Sequence, residues 1–180
     1  AEKLEYEKAA RLRDLIQAVR RMAERQKIVA EHAEDQDVLG YARVGDLACV
    51  QVFFVREGKV VGRDHFLLDC SPEEEEAEIL EAFIKQFYSE ASFIPRYVLL
   101  PLELEEQDVL ESWLSELRGS RVYLHVPRRG AKKELVNMVM ENAGTVLEVA
   151  RSRAERQEAD IAEALRQLEE VLGLERPPHR

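Results

Sequence analysis

Residues 38–68 read VLGYARVGDLACVQVFFVREGKVVGRDHFLL, and this stretch decides the fold. Residues 38–43 are a short apolar run, and residues 44–46 (VGD) are a turn. Residues 47–56 (LACVQVFFVR) are dense in β-branched and aromatic side chains, which pack well on a pleated surface and favour extended backbone. Glu57-Gly58 is a two-residue hairpin connection, and residues 59–68 (KVVGRDHFLL) form a third strand. Three strands joined by such tight turns predict an antiparallel meander.

Downstream the period changes from strand to helix. In residues 71–90 (SPEEEEAEILEAFIKQFYSE), Ser71 is the expected N-cap, with Pro72 in the first helical position and Glu74 completing a capping box. The acidic run then lies at the positive end of the helix dipole. Ile79, Leu80, Phe83, Ile84 and Phe87 share the buried face. Residues 96–101 (RYVLLP) are a strand buried on both sides and ended by Pro101. Residues 105–120 predict a helix with Val109, Leu110, Trp113, Leu114 and Leu117 inward and Gly119 as its stop. Residues 121–127 (RVYLHVP) are a fifth strand. From Gly130 to Leu174 the pattern is helical, with a weak point at Gly144, until Pro177 and Pro178 end it. Upstream, Leu4, Leu12, Leu15, Ile16, Val19 and Met22 recur at the spacing of one helical stripe, which predicts a helix from about Ala1 to about His32. Its narrow stripe cannot be buried against itself and needs a partner.

At 180 residues and 46% hydrophobic content, the chain has the material for one cored domain plus appendages. The division expected is residues 1–35 as a helix and linker, 36–145 as the domain, and 146–180 as a helical connector. A formal net charge of −10 repels nucleic acid over the surface as a whole, so any such contact needs a local basic patch. Arg128, Arg129, Lys132 and Lys133 supply one, four cations in six residues at the start of a helix. Cations are not what that end of a helix dipole favours, and their presence there points to an expected anion, a DNA phosphate. A solvated loop balancing nearby glutamates is the other reading. Cys49 and Cys70 are too far apart for a metal knuckle or a redox pair and read as buried, reduced thiols. No apolar run reaches the roughly 18–20 residues that span a bilayer, and no signal-peptide pattern opens the chain, so a soluble, cytoplasmic protein is expected.

The element order, a meander followed by alternating helix and strand, resembles the ribonuclease H-like fold. In enzymes of that fold, two metal ions are held by carboxylates on the first strand, the first helix and the end of the fourth strand. Here the first strand, read as residues 38–43, contains no carboxylate, and only Asp37 stands at its entrance. Glu103 lies beyond the end of the fourth strand. A cluster of Asp37, Glu81 and Glu103 is the one arrangement that would make the chain a metal-dependent nuclease in its own right. His65 and His125 fall in strands and read as partly buried structural residues. No cofactor motif emerges, and the expectation is a domain without catalytic residues, metal, cofactor or small-molecule substrate. Phe53, Phe54, Phe83, Phe87 and Trp113 sit at core spacing and read as packing.

Residues 4–16 (LEYEKAARLRDLI) resemble the second half of the UVR motif shared by the excinuclease subunits UvrB and UvrC. The matching positions are Leu4, Glu5, Tyr6, Glu7, Ala9, Ala10, Arg11, Leu12, Arg13, Asp14, Leu15 and Ile16, with Tyr6 replacing the usual phenylalanine. Residues 45–68, 78–88, 113–138 and 172–178 resemble, in order, the middle region of the UvrC family. The resemblance implies a part in bacterial nucleotide excision repair, with UvrB and damaged DNA as partners. It implies that Leu4, Tyr6, Ala9, Leu12, Arg13 and Ile16 belong to a partial UvrB-contacting helix. It also implies that the family's two nuclease sites lie outside this stretch, which then serves as a non-catalytic scaffold between motif and nuclease domain. A pure protein-binding scaffold without a DNA role is a further reading.

Overall fold

The structure, a computed structural model, describes residues 34–172. Strands β1 (Gln36–Val44), β2 (Leu47–Arg56) and β3 (Lys59–Asp69) form the expected meander. They are followed by α1 (Glu76–Ser89), β4 (Tyr97–Leu99), α2 (Gln107–Arg118), β5 (Tyr123–His125) and α3 (Ala131–Leu172). The sheet order is β3-β2-β1-β4-β5, antiparallel through the meander and parallel from β1 to β4 to β5. The fold is thus the predicted α/β arrangement, a five-stranded mixed sheet with a long last helix. The expected helix over residues 1–32 and the prolines at 177 and 178 lie outside the described residues.

Side-chain alternation on the strands builds two cores. Leu39 and Tyr41 of β1, Val50 and Val52 of β2, Val98 of β4 and Leu124 of β5 pack against Ile79, Leu80, Phe83 and Ile84 of α1 and Leu110 and Leu114 of α2. On the opposite face Val38, Phe53, Val55 and Leu99 meet Leu135, Val136 and Val139 of α3, and Cys49 meets Ala143 and Leu147. Central β1 is therefore buried on both sides. The Glu57-Gly58 turn has both residues at positive φ, 50° and 68°, which matches the twist of the flanking strands. Both cysteines are free and buried, as expected, and burial pushes the Cys49 thiol up to about 11.

Several expectations need correction. The first helix begins at Glu76, not at Pro72: Ser71 and Glu74 do bond reciprocally, with the Glu74 carboxylate accepting the Ser71 N–H and the Ser71 carbonyl accepting the Glu74 N–H, but they close a separate turn. Arg43 holds that turn from the strand, donating to the carbonyls of Gly45 (3.0 Å), Ser71 (2.7 Å) and Glu74 (2.6 Å). The helix itself starts with the Glu78 carboxylate accepting the Glu75 N–H at 3.1 Å. On α2, Val109 and Leu117 face outward and only Leu110 and Leu114 are buried, because the short β4 and β5 leave a narrow apolar floor. Phe87 is half-buried within an aromatic group with Phe54, Phe66 and Phe83. Gly144 is no weak point: α3 runs through it without interruption. His65 and His125 are exposed, not partly buried.

Candidate functional site

The three carboxylates that a nuclease reading requires are each engaged by protein groups. β1 begins two residues earlier than the sequence suggested, which puts Asp37 inside the strand, on the α1 side and almost fully buried. Its Oδ1 accepts from Arg56 Nη1 at 2.8 Å and its Oδ2 accepts from the Tyr88 hydroxyl at 2.9 Å. Burial raises the Asp37 carboxyl above the usual aspartate value, against the lowering pull of the Arg56 guanidinium. Burial, and then the adjacent carboxylate, likewise raise the Tyr88 hydroxyl. Glu81 on α1 accepts the backbone N–H of Glu106 at 2.9 Å, and so ties α1 to the start of α2. Glu103, in the loop after β4, is exposed and paired with Arg128. Among the described residues, Asp37, Glu81 and Glu103 are not brought into a group able to hold a metal ion.

The basic segment stands where predicted, at the N-terminus of α3. Gly130 takes a positive φ of 75°, and its carbonyl accepts the N–H groups of Lys133 (3.0 Å) and Glu134 (3.1 Å), which opens the helix. Arg128 and Arg129 are exposed, and Lys132 and Lys133 half-buried. Arg128 is neutralised by Glu103, while among the described residues Arg129, Lys132 and Lys133 form no ion pair. Leu4, Tyr6, Ala9, Leu12, Arg13 and Ile16 lie outside the described residues, so their grouping is not seen.

Sequence reasoning missed what adjoins this segment. Tyr97 and Tyr123, paired across β4 and β5, have their rings stacked at 5.4 Å. Arg96, Arg121 and Lys132 each lie within cation–π range of one or both rings. The available signal was an arginine just before a tyrosine at the entrance of two successive parallel strands, Arg96-Tyr97 and Arg121-Val122-Tyr123. By contrast Phe53 and Phe83 are buried, and Phe54, Phe87 and Trp113 pack against the core, as expected.

Comparison with known proteins accords with this fold. The family described as "UvrC Ribonuclease H-like domain" matches residues 35–150. UvrABC system protein C of Symbiobacterium thermophilum is 48% identical over 180 residues, all of this chain and 29% of the relative's length. The proteins of the same name from Moorella thermoacetica and Acetivibrio thermocellus are 45% and 42% identical, with the same coverage. The chain thus spans less than a third of the length of these relatives. With the family's domain matched across the whole sheet and this chain aligned along its full length to these relatives, the chain belongs to the UvrC family.

Proposed function

We propose that this segment is a non-catalytic scaffold within a UvrC-type subunit of bacterial nucleotide excision repair. It joins the UvrB-contacting UVR helix to the nuclease domain and steadies DNA through phosphate contacts from Arg128, Arg129, Lys132 and Lys133. Its partners are UvrB and damaged DNA in the UvrB complex, in the cytoplasm, and it works without cofactor, metal or small-molecule substrate of its own. One observation carries the non-catalytic reading: Asp37, the carboxylate on the first strand, is spent on Arg56 and Tyr88 inside the protein. An acid with both oxygens engaged, by a guanidinium and a phenol, and nearly free of solvent gives a hydrated divalent ion no room to approach.

The test is incision of a lesion-bearing duplex by the complete repair system carrying Glu81→Gln, an exchange that keeps the acceptor for the Glu106 N–H. Incision at the parent rate supports the scaffold. Manganese-dependent cutting of DNA by the 180-residue chain, lost with Glu81→Gln, overturns it. In the same system Arg128→Glu with Arg129→Glu weakens DNA binding, since the phosphate contacts supply position and not sequence choice.

A further inference from the structure

Gln36, Tyr97 and Tyr123 stand in one row across three strands: Gln36 pairs with Tyr97 and Tyr97 with Tyr123. The row faces the α3 side of the sheet, because Val38 and Leu99, two residues further on, belong to the α3 core. Among the described residues β5 is the edge strand, with no strand on the outer side of Tyr123. Both tyrosines are half-buried, and their rings are nearly parallel at 20° and 5.4 Å apart. The Arg96 guanidinium lies 5.5 Å from the Tyr97 ring and 5.8 Å from the Tyr123 ring. Arg121 lies 5.6 Å from Tyr123, and Lys132 Nζ is 4.9 Å from Tyr97.

In a chain of net charge −10, three cations gather round two rings. Among the described residues Arg96 and Lys132 form no ion pair, and Arg121 reaches Glu111 only at 4.0 Å. The third member of the row, Gln36, is buried, and among the described residues its side-chain oxygen has no hydrogen-bond partner. A phosphate alone would use the cations and leave the tyrosine faces idle. A DNA duplex would do the same, since its base faces are stacked on one another. The ligand that uses both is flat, aromatic and flanked by anions, which describes a nucleotide out of its stack.

We propose that Tyr97 and Tyr123, with Arg96, Arg121 and Lys132, form a stacking site for unpaired nucleotides of single-stranded DNA. The bases lie against the tyrosines and the adjoining phosphates against the three cations. This rests on the reading that the domain lies against DNA, and adds that the strand met here is unpaired. It uses residues distinct from Arg128 and Arg129, which serve phosphates in any strand.

The test compares binding of the 180-residue chain to three labelled DNAs: an oligothymidine, an abasic strand of the same length, and a duplex. Oligothymidine is expected to bind about 10-fold more tightly than the abasic strand, within the range that base–aromatic stacking confers. Tyr97→Leu with Tyr123→Leu removes that advantage and leaves duplex affinity unchanged, whereas the Tyr→Phe pair retains it. Arg128→Glu with Arg129→Glu weakens all three DNAs alike. If that charge reversal has no effect while the leucine pair does, the backbone patch falls and the stacking site stands. Equal affinity for thymidine and abasic strands overturns the stacking site and leaves an anion patch only. Photo-cross-linking of an iodouracil strand to the unaltered chain gives a readout free of any folding defect. Adducts at Tyr97 or Tyr123 support the site, and their absence from both overturns it.

Discussion

Gly40 is where one missing methylene decides how the domain closes. A Cβ at this position would lie 2.5 Å from the Val139 carbonyl carbon and 2.6 Å from the Met140 nitrogen. Both are helix backbone, which cannot swing aside as a side chain would, so α3 must lift off β1 to admit it. Gly40→Ala is expected to cost about 3 kcal/mol in urea unfolding, at the upper end of overpacking effects. Gly144 supplies the control: nothing lies within 4 Å of its Cβ position, and Gly144→Ala is expected to stabilise the helix by about 0.5–1 kcal/mol. Asp37 gives a second test at this scale, through pH. Burial raises its carboxyl above 3.8, so the folded state holds the proton more tightly than the unfolded chain does. The stability this contributes is complete below pH 3.8 and is lost as pH climbs through the raised folded value. The melting temperature of the parent minus that of Asp37→Asn is therefore expected to fall as pH rises above 3.8. A rise would mean that the Arg56 pair outweighs burial. Neither residue's role was legible in the sequence. Gly40 looks like any strand glycine until a helix from 99 residues later settles on it, and Asp37 looks like a charged boundary. Its donors lie 19 and 51 residues away, and they satisfy the carboxyl inside the strand.

The helix α3 contains 42 residues, about 63 Å at 1.5 Å per residue, and the sheet can cover only part of that. Leu135, Val136, Val139, Ala143 and Leu147 fall at helical spacing on the sheet, while residues 153–157 and 159–168 are exposed. The exposed half carries ion pairs at helical spacing, Arg151–Glu155 and Glu163–Arg166, each worth only a few tenths of a kcal/mol. Two stabilities are thus expected within one helix. Amide hydrogen exchange is expected to show protection near the global limit for residues 136–147 and at least about 100-fold less for residues 155–168. Uniform protection would mean that something covers the distal half. The helical period of this element was readable over its length, although Gly144 read as a weak point that the helix in fact runs through, whereas the start of α1 was not readable. Ser71-Pro72-Glu73-Glu74 has every local mark of a helix cap, and its reciprocal bonds do form. What overrides it is Arg43, whose guanidinium takes the carbonyls of Ser71 and Glu74 and so fixes the turn against the sheet. Local chemistry proposes a cap, and a tertiary contact decides where the helix begins.

At the scale of the molecule, an acidic chain presents one basic end, where β4, β5 and α3 all begin. Parallel β4 and β5 start at the same edge of the sheet, which sets Arg96 and Arg121 side by side there, and Lys132 at the start of α3 joins them beside Tyr97. Sequence alone placed the segment 128–133 but not Arg96 and Arg121, whose neighbourhood exists only once strands 25 or so residues apart lie side by side. Glu103 holds the decisive position, since it appears in both readings of this domain with opposite consequences. As a metal ligand beside Asp37 and Glu81, its loss would abolish cleavage and leave DNA binding to other groups. As the ion-pair partner of Arg128, it competes with phosphate for that guanidinium. Glu103→Gln is then expected to tighten DNA binding by about 2- to 5-fold, the worth of an exposed pair of up to about 1 kcal/mol. In the parent, the Glu103 carboxylate freed when Arg128 turns to a phosphate takes up a cation, and without it the slope of log affinity against log salt is expected to steepen by up to about 0.9 on duplex DNA. Arg128→Glu in the same background cancels both effects. Anisotropy titrations across a salt series measure affinity and slope together. An unchanged slope with Glu103→Gln would place Arg128 away from the phosphates and remove it from the interface, whatever became of the affinity.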